Sequence, residues 1–256
     1  MEGVPLLEFD HDRTALIEPS TYYQNISPPE GCVMPFYASV ITRLRDEGVL
    51  QKIYELESAS VFLSPIDVYK LKSGNDYVSV VFPGLGAPLS AGLFEELISL
   101  GCKKFIACGS CGVLKPELTR GAVVIPQSAV RDEGTSFHYC LPSRTIEMEP
   151  QVVRKLEAVL KKHKVPYEIG KTWTTDAIYR ETKSKIDRRK SEGCITVEME
   201  CAAMLAVARF RGVVFGQYLG AGDDVSGEFW DPRRTSDRHS FQEELFWLSV
   251  EAVLSL

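Results

Sequence analysis

Phe105-Ile-Ala-Cys-Gly-Ser-Cys-Gly-Val-Leu114 opens as a short apolar run and then meets Gly109, Ser110 and Gly112. Such a run predicts a buried strand that ends in a turn at the carboxyl edge of a sheet, where open α/β sheets hold their ligands. Glycine lets a backbone approach a ligand closely, and a serine hydroxyl adds a donor there. A tight turn needing positive φ accounts for the same residues, so spacing alone leaves both readings open. Upstream, Tyr77-Val-Ser-Val-Val-Phe82 reads as a β-branched central strand running into a second glycine turn, Pro83-Gly-Leu-Gly-Ala-Pro88. A helix over residues 89–100 and a strand from Lys103 complete a βαβ unit, which brings the two glycine turns to one edge of a parallel section. Gly84-x-Gly86 lacks the third glycine of the dinucleotide fingerprint, and no nucleoside-triphosphate loop signature occurs.

Outward from this unit, apolar spacing predicts helices over residues 36–48, 151–163 and 240–254. Residues 198–210 are rich in small apolar side chains and read as a buried helix. Strands are expected at residues 15–17, 54–63, 67–72, 121–125, 195–197 and 213–219, with another from Lys171. Gly220-Ala-Gly-Asp-Asp-Val225 reads as a turn, and the charge run over residues 183–190 as a solvated helix face. No repeat or linker divides the chain, so residues 1–256 read as a single α/β domain.

At 256 residues and 45% hydrophobic, the chain can bury a normal core without disulfides or metal. A net charge of −6 gives no basic field to attract nucleic acid or an anionic membrane. Nothing resembles a membrane span, and the first residues lack a basic stretch followed by an apolar core. Seven cysteines without such a leader read as reduced thiols, which predicts a cytoplasmic location. Cys108 and Cys111 have CxxC spacing, but no second CxxC or paired histidines supply further zinc ligands, so no metal is expected.

Two acidic pairs carry the chemistry. Glu198 and Glu200 stand where a strand becomes an alanine-rich helix. Either the helix dipole favours them there, or at least one faces a cleft and accepts the vicinal hydroxyls of a sugar. Asp223 and Asp224 lie in a glycine-rich segment after an apolar strand. They are either ordinary turn residues or include a general acid raised by partial burial. Ser110 lacks the Gly-x-Ser-x-Gly elbow, its flanks being Gly109, Cys111 and Gly112, which disfavours a serine hydrolase.

Several of these stretches together resemble the nucleoside phosphorylase family, the hexameric purine and uridine phosphorylases with the related nucleosidases. The strongest match is Thr196-Val-Glu-Met-Glu-Cys-Ala-Ala-Met204. It is joined, in the family's order, by Pro83-Gly-Leu-Gly-Ala-Pro88, Gly109-Ser-Cys-Gly-Val-Leu114, Gly121-Ala-Val-Val-Ile-Pro126, Arg131-Asp-Glu-Gly-Thr-Ser136 and Thr174-Thr-Asp-Ala-Ile-Tyr179. The resemblance implies a mixed, partly barrel-like central sheet flanked by helices, and a homodimer or hexamer. It implies cleavage of a purine-type nucleoside with inorganic phosphate as the leading acceptor, water as in the nucleosidases being the alternative, and no further cofactor. By the same resemblance Glu200 holds the ribose hydroxyls, Met199 packs on the sugar and Glu198 lies on the purine side. Asp223 protonates the departing base, Ser110 with Gly109 touches phosphate and ribose, Gly84 belongs to the early glycine turn, and Ile178 stands where an aromatic residue stacks on the base.

The chain also departs from the family. Phosphorylases carry a phosphate-gripping arginine two residues before the Gly-Ser turn, where this chain has Ala107. Their Gly-Asp-Pro-x-Arg motif after the first strand is met here by Ile17-Glu-Pro-Ser-Thr-Tyr22. Pro5-Leu6 replaces the Pro-His that reaches a neighbouring subunit, and the uracil-reading residues after Tyr179 are missing. Either Arg131, Arg180, Arg233 or Arg234 compensates, or phosphate is not the acceptor. A non-catalytic nucleoside-binding homologue is the remaining alternative.

Overall fold

Strand β5 (Lys104–Val113) joins two halves of one sheet, because it pairs with three neighbours rather than two. The computed structural model describes residues 3–21, 26–56, 65–233 and 238–256. Before β5 come β1 (Gly31–Pro35), α1 (Ala38–Asp46), β2 (Leu50–Leu56), β3 (Ile66–Ser73), β4 (Asp76–Val81) and α2 (Ala87–Ser99). After it come β6 (Val123–Asp132), β7 (Thr145–Glu147), α3 (Pro150–Lys162), β8 (Tyr167–Thr175) and α4 (Lys183–Ser191). The chain closes with β9 (Cys194–Glu198), α5 (Cys201–Arg211), β10 (Val214–Asp224) and α6 (Arg238–Ser255).

Among the described residues the sheet runs β10-β6-β8-β9-β5-β1-β4-β3-β2, and β10 returns to pair with β5. Strands β5, β9, β8, β6 and β10 therefore close a five-stranded ring, while β1, β4, β3 and β2 form an open wing. This is the mixed, partly barrel-like sheet that the resemblance implies. The βαβ unit is present with one refinement: β4 and β5 are both parallel to β1, which lies between them. Ring contacts of Phe94 with Phe105 and Phe215, at 4.5 and 5.7 Å, pack α2 onto the sheet. Every residue of α5 from Cys201 to Ala208 is buried, as its small side chains predict. Among the described residues no helix is long and apolar enough to cross a membrane.

Three local expectations are corrected. Gly109 and Gly112 do not turn: β5 continues to Val113, and neither glycine takes a positive φ. Their absent side chains serve close packing instead. A Cβ on Gly109 would lie 3.0 Å from the Phe36 ring, and one on Gly112 2.8 Å from Val197. The expected turn at residues 220–225 is likewise strand as far as Asp224. Residues 15–17 form no strand, and the first strand among the described residues is Gly31–Pro35. Of the strand expected over 54–63, residues 54–56 belong to β2, and residues 57–64 lie outside the described residues.

Candidate functional site

The sheet register gathers the acidic residues around the end of β5. On one side β9 runs antiparallel, with Val197 opposite Gly112, so the chain beyond it passes Glu198, Met199 and Glu200 back towards Ser110 and Gly109. On the other side β10 runs parallel, with Gly220 opposite Ser110 and Ala221 opposite Cys111. The register then slips: Asp224, not Asp223, lies opposite Val113. One extra residue on β10 makes a bulge that re-aims the Gly222-Asp223 segment. Gly222 is required there, because a Cβ would fall 2.9 Å from the Cys111 carbonyl oxygen.

Glu198 is buried and fully engaged. Thr174 Oγ1 donates to one carboxylate oxygen at 2.6 Å. The backbone N–H groups of Glu200 and Cys201 donate to the other at 2.7 and 2.6 Å. Those N–H groups open α5, so Glu198 caps the helix with its side chain. Burial nevertheless pushes its carboxyl up to about 7, against the pull of these hydrogen bonds.

Glu200 is also buried, and its Oε1 accepts the Gly86 N–H at 2.7 Å. Gly84 and Gly86 both take positive φ (75° and 89°), which turns the chain after β4 so that this N–H faces the carboxylate. Gly84 itself packs against Leu89, and Gly86 carries the contact. Burial, with the charge of Glu198 beside it, raises the Glu200 carboxyl to about 8.

The two aspartates separate cleanly. Asp224 accepts the Ser226 N–H at 2.7 Å and pairs with Arg233, so it serves the turn and is held below the usual carboxylate range. Asp223 accepts the Trp230 indole N–H at 2.7 Å. Glu181 approaches it from the turn after Ile178, and burial together with the Asp223 charge raises Glu181 to about 7. Ile178 on that turn is 54% exposed, and Phe229 and Trp230 are exposed on the other flank of Asp223. Met199 is half-buried, and Ser110 is exposed at the strand edge.

Cys111 lies among these carboxylates. Burial raises its thiol far above the ordinary range, with Glu198 and Asp223 adding to the effect. Residues three apart on a strand point to opposite faces. Cys108 accordingly meets Ser249 of α6 instead, and both thiols are free.

Cations are scarce here. The first strand ends at Pro35, so the segment that follows it is Phe36-Tyr37-Ala38-Ser39-Val40 rather than the one beginning at Ile17. The arginine place of the Gly-Asp-Pro-x-Arg motif thus falls on Val40, which is 2% exposed. Ala107 is fully buried in the main core, and Phe36 covers Gly109. Arg131 donates to Ser136 Oγ, Ser143 Oγ and the Leu141 and Cys140 carbonyl oxygens, all within 3.1 Å. Arg233 is held by Asp224 and the Leu118 carbonyl oxygen. Arg180 is exposed and makes no ion pair among the described residues, and Arg234 lies outside them.

Sequence reasoning named Glu198, Glu200, Ser110 and Asp223, and the sheet brings these together. It missed Gly86, Thr174, Glu181 and Trp230 as their partners. Thr174 and Gly86 lie inside quoted motifs, but no spacing signal links Trp230 or Glu181 to Asp223.

The profile of the phosphorylase superfamily matches residues 43–244. A guanosine phosphorylase from Halorubrum lacusprofundi is 27% identical over 175 residues, spanning 67% of this chain and 72% of that protein. A crystal structure of purine nucleoside phosphorylase from Toxoplasma gondii, in complex with immucillin-H, superposes with a TM-score of 0.72 at 21% identity, covering 89% of this chain and 90% of that one. A crystal structure of AMP nucleosidase from Bacteroides thetaiotaomicron gives a TM-score of 0.70 at 19% identity, over 88% and 87% of the two chains. At these identities the structural likenesses speak to the fold alone.

Proposed function

The chain belongs to the phosphorylase superfamily, and on that premise we propose that it breaks the N-glycosidic bond of a purine-type nucleoside with water as the acceptor. In this reading Glu200 accepts the ribose hydroxyls, Met199 packs on the sugar, and Ser110 with Gly109 borders the acceptor side. Asp223 hands a proton to the departing base, and Ile178 with Trp230 flanks that base. Positive charge grows on the sugar as the bond breaks, and the buried carboxylates beside it are stabilising only at that stage. Glu198 keeps its neighbour in place by capping α5.

The observation that supports the choice of water is the lack of arginine at two places. Val40 and Ala107 stand where the resemblance puts two phosphate arginines, and Arg131 and Arg233 are committed elsewhere. Each charge-assisted grip is worth roughly 1.5–3 kcal/mol, so losing two weakens phosphate binding by about 3–6 kcal/mol. Phosphorolysis is the second reading, favoured by Arg180, which is exposed and makes no ion pair among the described residues.

Incubation with a panel of purine and pyrimidine nucleosides, read by chromatography of released base, tests the proposal. Purine release is expected at the same rate with and without inorganic phosphate. Release that requires phosphate contradicts the choice of water, and binding without release contradicts the enzyme reading.

A further inference from the structure

A buried hydroxyl next to Ser110 is left without a partner. Phe36 extends the pairing of β1 with β5, its N–H donating to the Cys108 carbonyl oxygen at 2.8 Å, and this delivers Tyr37 alongside Ser110. Tyr37 is 5% exposed, and its hydroxyl oxygen has no hydrogen-bond partner. On its far side stands Gly220, the residue opposite Ser110 in the β5–β10 ladder, where a Cβ would lie 3.4 Å from that oxygen. The other titratable groups that bear on it are the thiols of Cys108 and Cys111, both kept protonated by burial. Tyr37 is itself held neutral by its burial, which the nearby Ser110 hydroxyl opposes only in part. It is a proton-bearing donor and not a base.

A buried O–H without a partner destabilises a fold, and phenylalanine would fill the same space without it. The hydroxyl therefore points to a task outside folding. We propose that Tyr37 is a positioning residue for the cleavage reaction: its O–H donates to Ser110 Oγ when Ser110 turns its own proton to the oxygen of the bound sugar or acceptor. The chain of two hydroxyls fixes the Ser110 rotor, and each link strengthens the other. The inference rests on the proposed nucleoside-cleaving function and deepens it.

Tyr37→Phe, Ser110→Ala and the double variant test it through kcat, KM and thermal midpoint on a nucleoside that the wild type cleaves. Tyr37→Phe is expected to keep or raise the midpoint, leave KM unchanged and lower kcat about 10-fold, the effect of one hydrogen bond. In the Ser110→Ala background the same change is expected to do nothing further. A wild-type kcat in Tyr37→Phe overturns the inference alone, as does a loss that simply adds to that of Ser110→Ala. A wild type that cleaves no nucleoside, whether or not it binds one, overturns the proposed function, and the inference with it.

Discussion

Glu200→Gln is expected to lower nucleoside cleavage between about 10²- and 10⁴-fold while making the free protein more stable at pH 8. The loss follows from geometry. Glu200 keeps one oxygen on the Gly86 N–H, and a carboxylate there offers acceptors to two sugar hydroxyls. Glutamine preserves the Gly86 bond through its carbonyl but turns an NH2 donor towards the sugar. Two charge-assisted hydrogen bonds at roughly 1.5–3 kcal/mol each give the stated range. The gain follows from burial, which raises the folded carboxyl to about 8 from an ordinary value of 4.5. Between those values the folded state binds more protons than the unfolded state, so wild-type stability falls as pH rises through that window. Below it the carboxyl is neutral in both states and the penalty vanishes. The advantage of Glu200→Gln in thermal midpoint should therefore be near zero at pH 4 and largest at pH 8. Glu198, raised to about 7, leaves some slope in both proteins. A variant less stable at pH 8, or one that cleaves a 2′-deoxynucleoside as poorly relative to wild type as the ribonucleoside, contradicts this account.

Asp223→Asn is expected to reduce cleavage of purine nucleosides about 10²- to 10⁴-fold, the usual worth of a positioned proton donor. Asp223 accepts from the Trp230 indole and faces Glu181, whose carboxyl is raised to about 7. The Glu181 carboxyl, raised by burial and by the Asp223 charge, keeps its proton up to near neutral pH, so wild-type activity should decline above about pH 7 as that proton leaves. Asparagine keeps the indole contact but has no proton to release. A nitrophenyl riboside needs no proton on its leaving group, and its cleavage should be nearly unaffected by the substitution. An equal loss on both substrates would assign Asp223 a structural task instead.

How far the sequence revealed this site depended on the kind of signal. The ordered motifs located the sheet, and Glu198, Glu200 and Asp223 with it, because short motifs are local. The ring was less legible: β10 must meet β5 and β6, each about a hundred residues away, and no periodicity encodes that closure. Gly109 and Gly112 misled because a glycine that admits a neighbour's side chain looks the same in sequence as one that turns the chain. The first strand was misplaced for a related reason. Gly31-Cys-Val-Met-Pro35 begins and ends with residues that strands disfavour, whereas Ala15-Leu-Ile17 is apolar and exposed. With the strand at Gly31–Pro35, the place of the motif's arginine falls on Val40, which is buried in the core.

Water as the acceptor is the central claim, and the identity of the sugar product tests it most directly. The wild-type protein would be run to completion on its best purine nucleoside in excess inorganic phosphate, with the products followed by 31P NMR. Water as the acceptor predicts stoichiometric release of base and free pentose, with no phosphorus resonance beyond that of inorganic phosphate. A pentose 1-phosphate resonance growing in step with the released base would contradict it.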